Sequence, residues 1–276
     1  MISALKYEWR RITTIRSSYW MSGMAVALSA GVTMILILVV NEANSQGDLG
    51  DLAGVGVYTT WMVTAGGSSI AMPIVGAMFF AVMGAMAMGH EYRYGTNKAT
   101  LTAIPDRIAV LAAKAAVLSA WVAVAAAISL LLNAVLAWLF VGSTSIDTEA
   151  LRPFLMYVLY CVGFGLAGFG LSSIFRNQVG AIVTVLIWPL VLEPIIFAVL
   201  RATALANADI GLGKIANLLP ASAGRRTMFR PYELWSNLDT SDRAHIWSLA
   251  PSVLVFWCGI AALVVAGSVL FVKRDA

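Results

Sequence analysis

Charge is what this sequence has least of. Of its 276 residues only 12 % are Asp, Glu, Lys or Arg, against about 25 % in an ordinary soluble domain. Hydrophobic side chains make up 60 %, and the mean hydropathy is +0.85. Eighteen Lys and Arg with fourteen Asp and Glu cannot keep so apolar a chain in water. Long charge-free runs make lipid the solvent, which excludes a soluble enzyme and a disordered protein. Cysteine is scarce too. Cys161 and Cys258 both lie inside apolar runs, which excludes a disulfide scaffold and a thiolate metal cluster. Histidine is represented only by His90 and His245. His90-Glu91-Tyr92-Arg93-Tyr94 lacks the second histidine of a zinc-protease helix, so metalloprotease chemistry is rejected. No apolar run contains a histidine, which leaves an intramembrane serine protease without its base. The Gly213-Lys214 pair is followed by Ile215 and has no upstream glycine, so the chain has no phosphate loop for ATP.

What is present is a series of apolar runs. A helix that crosses a bilayer needs about 20 such residues. Six are read as spans, at about 19–40, 70–88, 110–141, 153–175, 179–200 and 252–272. The run 55–65 is too short to cross, and counting it would invert every later connection. It is expected to lie on, or dip into, the outer face. Lys and Arg concentrate on the cytoplasmic side of membrane proteins. Lys6, Arg10, Arg11 and Arg16 precede the first span, and Arg93, Lys98, Arg107 and Lys114 are counted before the third. Arg176, Lys273 and Arg274 complete this side, while the connection 41–69 carries no cation. Both termini are therefore expected in the cytoplasm, in a multi-pass membrane protein. The first apolar run reaches Val40, too long for the core of a signal peptide.

Several segments outside or within the spans carry information. Leu5, Trp9, Ile12, Ile15 and Tyr19 recur at helical spacing opposite Lys6, Arg10 and Arg11, which predicts a basic amphipathic helix in the interface. Gly95 should end the helix of the second span. Thr96 is placed to cap a short helix before Pro105, and Asp106 to cap the third span. In the connection 201–251, residues 217–228 read as a surface helix or a lid. Arg225 and Arg226 within it suit lipid phosphate, or an anionic substrate. Glu193, between Pro189 and Pro194, is the one acid inside a span. It reads as a lining of a polar exit path or gate, or as a carboxylate that reaches the outer interface or pairs with a nearby cation. Asn133 reads as interhelical glue, and with Glu193 as a candidate lining of a translocation path. Gly163, Gly165, Gly168 and Gly170 in the fourth span, and Gly76, Gly84 and Gly89 in the second, mark faces for close helix packing.

Taken together, the pieces resemble the ABC-2-type permeases, closest in style to the actinobacterial exporters of that family. The residues that carry the likeness are Lys6-Tyr7-Glu8-Trp9-Arg10-Arg11 with Thr14-Ile15-Arg16-Ser17, then Glu91-Tyr92-Arg93-Tyr94-Gly95-Thr96. Leu101-Thr102-Ala103-Ile104-Pro105-Asp106-Arg107 and Lys114 extend it. The likeness covers nearly the whole chain and says little about cargo.

This resemblance implies an all-α integral membrane protein with the ABC-2-type exporter fold. It has an interfacial elbow helix over 1–18, containing Trp9, Arg10, Arg11 and Arg16, and a six-helix transmembrane domain over 19–276. A coupling helix at about 91–104, with Glu91, Tyr92, Arg93, Tyr94, Gly95, Thr96 and Leu101, would seat against a separate ATP-binding subunit. That subunit would hold ATP and Mg; no cofactor or metal is expected on this chain, and no catalysis. The other partners implied are a second permease chain, the lipid bilayer and a small amphiphilic substrate such as a drug, antibiotic or lipid-like compound. No nucleic acid is expected. Two other readings fit the residues: a permease for sensing of, or immunity to, a membrane-active peptide, and a six-span scaffold that transports nothing.

Overall fold

The computed structural model describes residues 2–45, 55–66, 75–96, 102, 106–141, 151–206, 215–228 and 248–274. The described residues are helical, with no strand. In chain order the helices are α1 (Ile2–Thr14), α2 (Arg16–Ser45), α3 (Val55–Val63), α4 (Val75–Tyr94), α5 (Arg107–Val141), α6 (Leu151–Phe175) and α7 (Gln178–Ile187). A π-helical turn (Trp188–Leu192) joins α7 to α8 (Glu193–Ala206). A 3₁₀ turn (Ala216–Leu218), α9 (Pro220–Arg226) and α10 (Leu249–Arg274) follow.

Five helices are long and apolar enough to cross a membrane: Arg16–Glu42, Arg107–Val141, Leu151–Phe175, Gln178–Leu200 and Leu249–Lys273. They coincide with the first, third, fourth, fifth and sixth runs of the sequence, so the chain has the character of a multi-pass membrane protein. The run at 70–88 begins outside the described residues. Its described part is α4, with Phe80, Met83 and Met88 buried.

The small residues of α4 and α6 let the two backbones touch. A Cβ on Gly84 would lie 1.8 Å from the Gly165 carbonyl oxygen, and one on Gly168 2.0 Å from that of Ala81. Gly170 meets α10 in the same way, across from Gly267. These positions are closed to any side chain, which is the close approach expected of small-residue faces. Toward the other end of α6 the spacing opens for aromatic rings. Tyr160 stacks on Phe256 of α10 with ring centroids 5.3 Å apart.

Local signals set the helix ends. Gly95 takes φ +66 and the Thr96 N–H donates to the Glu91 carbonyl, closing α4 with a six-to-one turn. Asp106 accepts from the Ala109 N–H at 3.0 Å and caps α5. Asn177 caps α7 through Val179 and Gly180. The short helix expected between Thr96 and Pro105 lies almost wholly outside the described residues.

The leader departs from expectation. A single amphipathic helix through Tyr19 was predicted by the spacing of Leu5, Trp9, Ile12, Ile15 and Tyr19. Instead the helix stops at Thr14 and α2 starts at Arg16. Its buried face is Ala4, Glu8 and Ile12, one step round from the predicted one, while Trp9 and Tyr19 stay half exposed. Both rings lean edge-on against Trp121 of α5, at 6.3 and 5.3 Å. The face rotates because an acid on it finds partners inside, as described below.

Two contacts fix how the ends of the bundle are arranged. Arg107 donates to the Val272 carbonyl at 3.1 Å, so the last turn of α10 lies beside the first turn of α5. Lys114 of α5 meets Glu8 of α1 and Glu91 of α4. The leader, the C-terminal end of α4, the start of α5 and the end of α10 therefore share one end of the protein.

Candidate functional site

At that shared end, four ionised side chains from three helices form one cluster. Lys114 Nζ donates to Glu8 Oε1 at 2.5 Å and also to Glu91 Oε1. Arg11 contacts Glu91 Oε1 through Nη1 at 2.8 Å and Glu8 Oε2 through Nε at 3.3 Å. Its Nη2 donates to the Ala87 carbonyl at 2.7 Å. Side-chain exposure is 1 % for Lys114, 4 % for Glu8 and 5 % for Glu91, rising to 22 % for Arg11. Two cations and two anions sum to zero, and each charge meets at least one opposite partner, which is what permits burial. A cleft of about 40 Å³ lies beside the cluster, lined in part by Ser18, Met21, Met83 and His90. Burial, then the Arg11 and Arg93 charges, hold the His90 pKa below the ordinary histidine range.

Glu8 and Lys114 were legible only in part. Glu8 is the lone acid among the four cations of the leader. Lys114 sits inside an apolar run that begins at Val110, and an ionisable residue in such a run requires a partner. Which partner each takes is decided by helices far apart in sequence.

The residues assigned to ATPase coupling separate into two groups. Glu91 is buried in the cluster, and Tyr92 is half buried against the core. Arg93, Tyr94, Gly95 and Thr96 are exposed, with the Arg93 guanidinium 5.6 Å from the centre of the Tyr94 ring. Leu101 lies outside the described residues. Of the elbow residues, Arg10 and Arg16 are exposed, Trp9 packs edge-on to Trp121, and Arg11 belongs to the cluster.

Asn133 holds a second polar assembly. It is fully buried and donates to Ser29 Oγ at 2.9 Å and to the Val63 carbonyl at 3.0 Å. Val63 is the last residue of α3, whose C-terminal part is buried against α2 and α5: Thr59, Thr60, Met62, Val63 and Thr64 are all buried. The end of α3 needs partners for its carbonyls where water is absent. Thr60 O accepts from the Thr64 N–H at 3.0 Å, and Trp61 O from that of Gly66 at 2.8 Å. Met62 O accepts from the Ala65 N–H at 3.0 Å and from Thr33 Oγ1 at 2.8 Å, and Val63 O takes Asn133. Every one of the last four carbonyls is satisfied. Asn133 stands eight residues before the end of α5, about 12 Å along the axis at 1.5 Å per residue, so this helix end lies deep in the protein. The reading of Asn133 as interhelical glue describes these bonds.

Glu193 holds a third. It is 1 % exposed and accepts four hydrogen bonds. Trp188 Nε1 and the Ala221 N–H reach Oε1, both at 2.9 Å. The Ser222 N–H at 2.8 Å and Ser222 Oγ at 3.0 Å reach Oε2. Leu219, the residue at the start of α9, offers no side-chain cap, and Glu193 supplies it from another helix. These four donors are neutral groups. Arg226 stands near but donates Nη2 to the Asn217 carbonyl at 2.6 Å; burial pushes its pKa down to about 10, against the opposing effect of Glu193. Residues 217–228 thus form a short helix pinned inward by a carboxylate.

Among the described residues no three His, Cys, Asp or Glu side chains converge on a metal position. The sequence matches no protein-family model and is not significantly similar to any curated protein.

Proposed function

We propose that the chain is the membrane-spanning permease subunit of an ATP-driven exporter of the ABC-2 type, moving a hydrophobic or amphiphilic compound outward. In this reading six crossings put both termini in the cytoplasm, with the second crossing completed by α4. A separate subunit binds ATP, and two permease chains form the path. The support is the likeness of the leader and of residues 91–107 to that family, together with five apolar spans.

The observation that carries the reading is the buried cluster of Glu8, Arg11, Glu91 and Lys114. It ties the leader, the end of α4 and the start of α5 into one stiff unit. The exposed Arg93, Tyr94 and Thr96 project from the same helix end, one turn from the ion pairs. A push on that end from a cytoplasmic ATPase reaches α4, α5 and the leader together. Without the cluster the same push would only bend a loop.

The test is purification from native membrane in mild detergent. The expected companion is a subunit bearing the phosphate loop absent here, whose hydrolysis in proteoliposomes responds to amphiphilic drugs. Recovery of this chain with no ATPase would replace the proposal with a non-transporting scaffold.

A further inference from the structure

The run that holds Glu193 is little covered by the rest of the chain along most of its length. Between Val179 and Leu200 only Ala181, Val185 and Glu193 are buried. Their spacing does not fit an α-helix. At 100° per residue, eight residues carry Glu193 about 80° round from Val185, toward the exposed side occupied by Ile187 and Val191. The π turn resolves this. Within it the Glu193 N–H donates to the Trp188 carbonyl five residues back, so one extra residue is absorbed without advancing the helix. Counted as seven α-helical steps, Glu193 falls within about 20° of Val185. Ile196, Phe197 and Leu200, the partly covered positions of α8, continue the same stripe three, four and seven residues on. Pro189, inside the turn, and Pro194, two residues past its end, each lack the N–H that a regular ladder would need there, which favours the bulge.

We propose that the π turn is a register element: it aims Glu193 at α9, and a shift of this segment to regular α-helix swings the carboxylate toward lipid and unlatches α9. Glu193 is then a positioning residue acting through the backbone of Ala221 and Ser222. The inference rests on helix geometry and holds whatever the chain transports.

The experiment uses the full chain purified in detergent micelles, with Cys161→Ala and Cys258→Ala. Met228→Cys, fully buried behind α9 and outside the latch, serves as reporter. The rate of its reaction with a polar maleimide is compared across four chains, with thermal unfolding as the fold check. The parent is expected to react slowly. Deletion of Val191 converts the π turn to α-helix while keeping Glu193 in place, so the rate stays within about twofold of the parent. Glu193→Ala, and the exchange Leu192→Glu with Glu193→Leu, each release α9 and raise the rate at least tenfold. A deletion chain that fails to fold, or reacts as fast as Glu193→Ala, overturns the proposal. So does protection of the exchange chain, which would mean that an acid anywhere on this turn suffices, or protection of Glu193→Ala.

Discussion

The protein buries carboxylates in two ways. At one end Glu8 and Glu91 are neutralised by Lys114 and Arg11. At Glu193 two backbone N–H groups, an indole and a hydroxyl supply the hydrogen bonds. The first arrangement binds three helices through side chains whose charges depend on each other. The second binds a short helix by its own first turn and depends on backbone direction. Loss of one ion from the first leaves an uncompensated charge in the interior. Loss of the acid from the second leaves neutral donors, some of which can relax.

That contrast orders the mutational effects. Lys114→Met strips Glu8 of its shortest contact and leaves both acids to Arg11 alone. Breaking a buried pair costs about 3–5 kcal/mol, so a large drop in thermal stability is expected. Adding Glu8→Gln and Glu91→Gln to the same chain should recover much of it; equal losses in the single and triple variants would contradict charge coupling. Glu193→Ala orphans buried donors at about 1–3 kcal/mol in total if α9 relaxes, a smaller loss than Lys114→Met, read in the same melting assay. Arg93→Ala should leave stability within about 0.5 kcal/mol, as for an exposed site. In the proposed complex it should still lower stimulation of ATP hydrolysis.

Acid should separate the two sites most gently. His90 binds its proton less readily in the folded protein than the free side chain does. The unfolded chain therefore takes up more protons as pH falls below about 6.5, and folded-state stability declines through that window. The effect should be confined to the end that holds the ion cluster. His90→Gln should flatten it when exchange protection of α1 is followed between pH 7 and 5; an unchanged slope would assign the acid sensitivity elsewhere.

These sites were unequally legible in the sequence. Gly95, Asp106 and the glycines of α4 and α6 act through local or near-local geometry, and their roles could be read directly. The offset face of α1 could not, because Trp9 and Leu5 outrank Glu8 on any hydrophobic scale until Lys114 is in view. The run 55–65 is too short to span, and length alone cannot distinguish a helix lying on a surface from one buried among spans. Asn133 and Thr33, seventy and twenty-nine residues from their acceptors on α3, settle that. Glu193 was visible as an intramembrane acid, but its direction depends on one residue's worth of helical register.

The end of α3 has a consequence for how the chain is made. Its last carbonyl is satisfied by a side chain seventy residues later in the sequence. When residues 55–66 leave the ribosome, Asn133 has yet to be synthesised. The short helix can meet Thr33 of α2 at once, but its last carbonyl lacks a partner until α5 arrives, an order of assembly written into a single amide. Chains truncated before and after residue 133 should therefore differ in protease resistance at 55–66, with protection appearing only in the longer one.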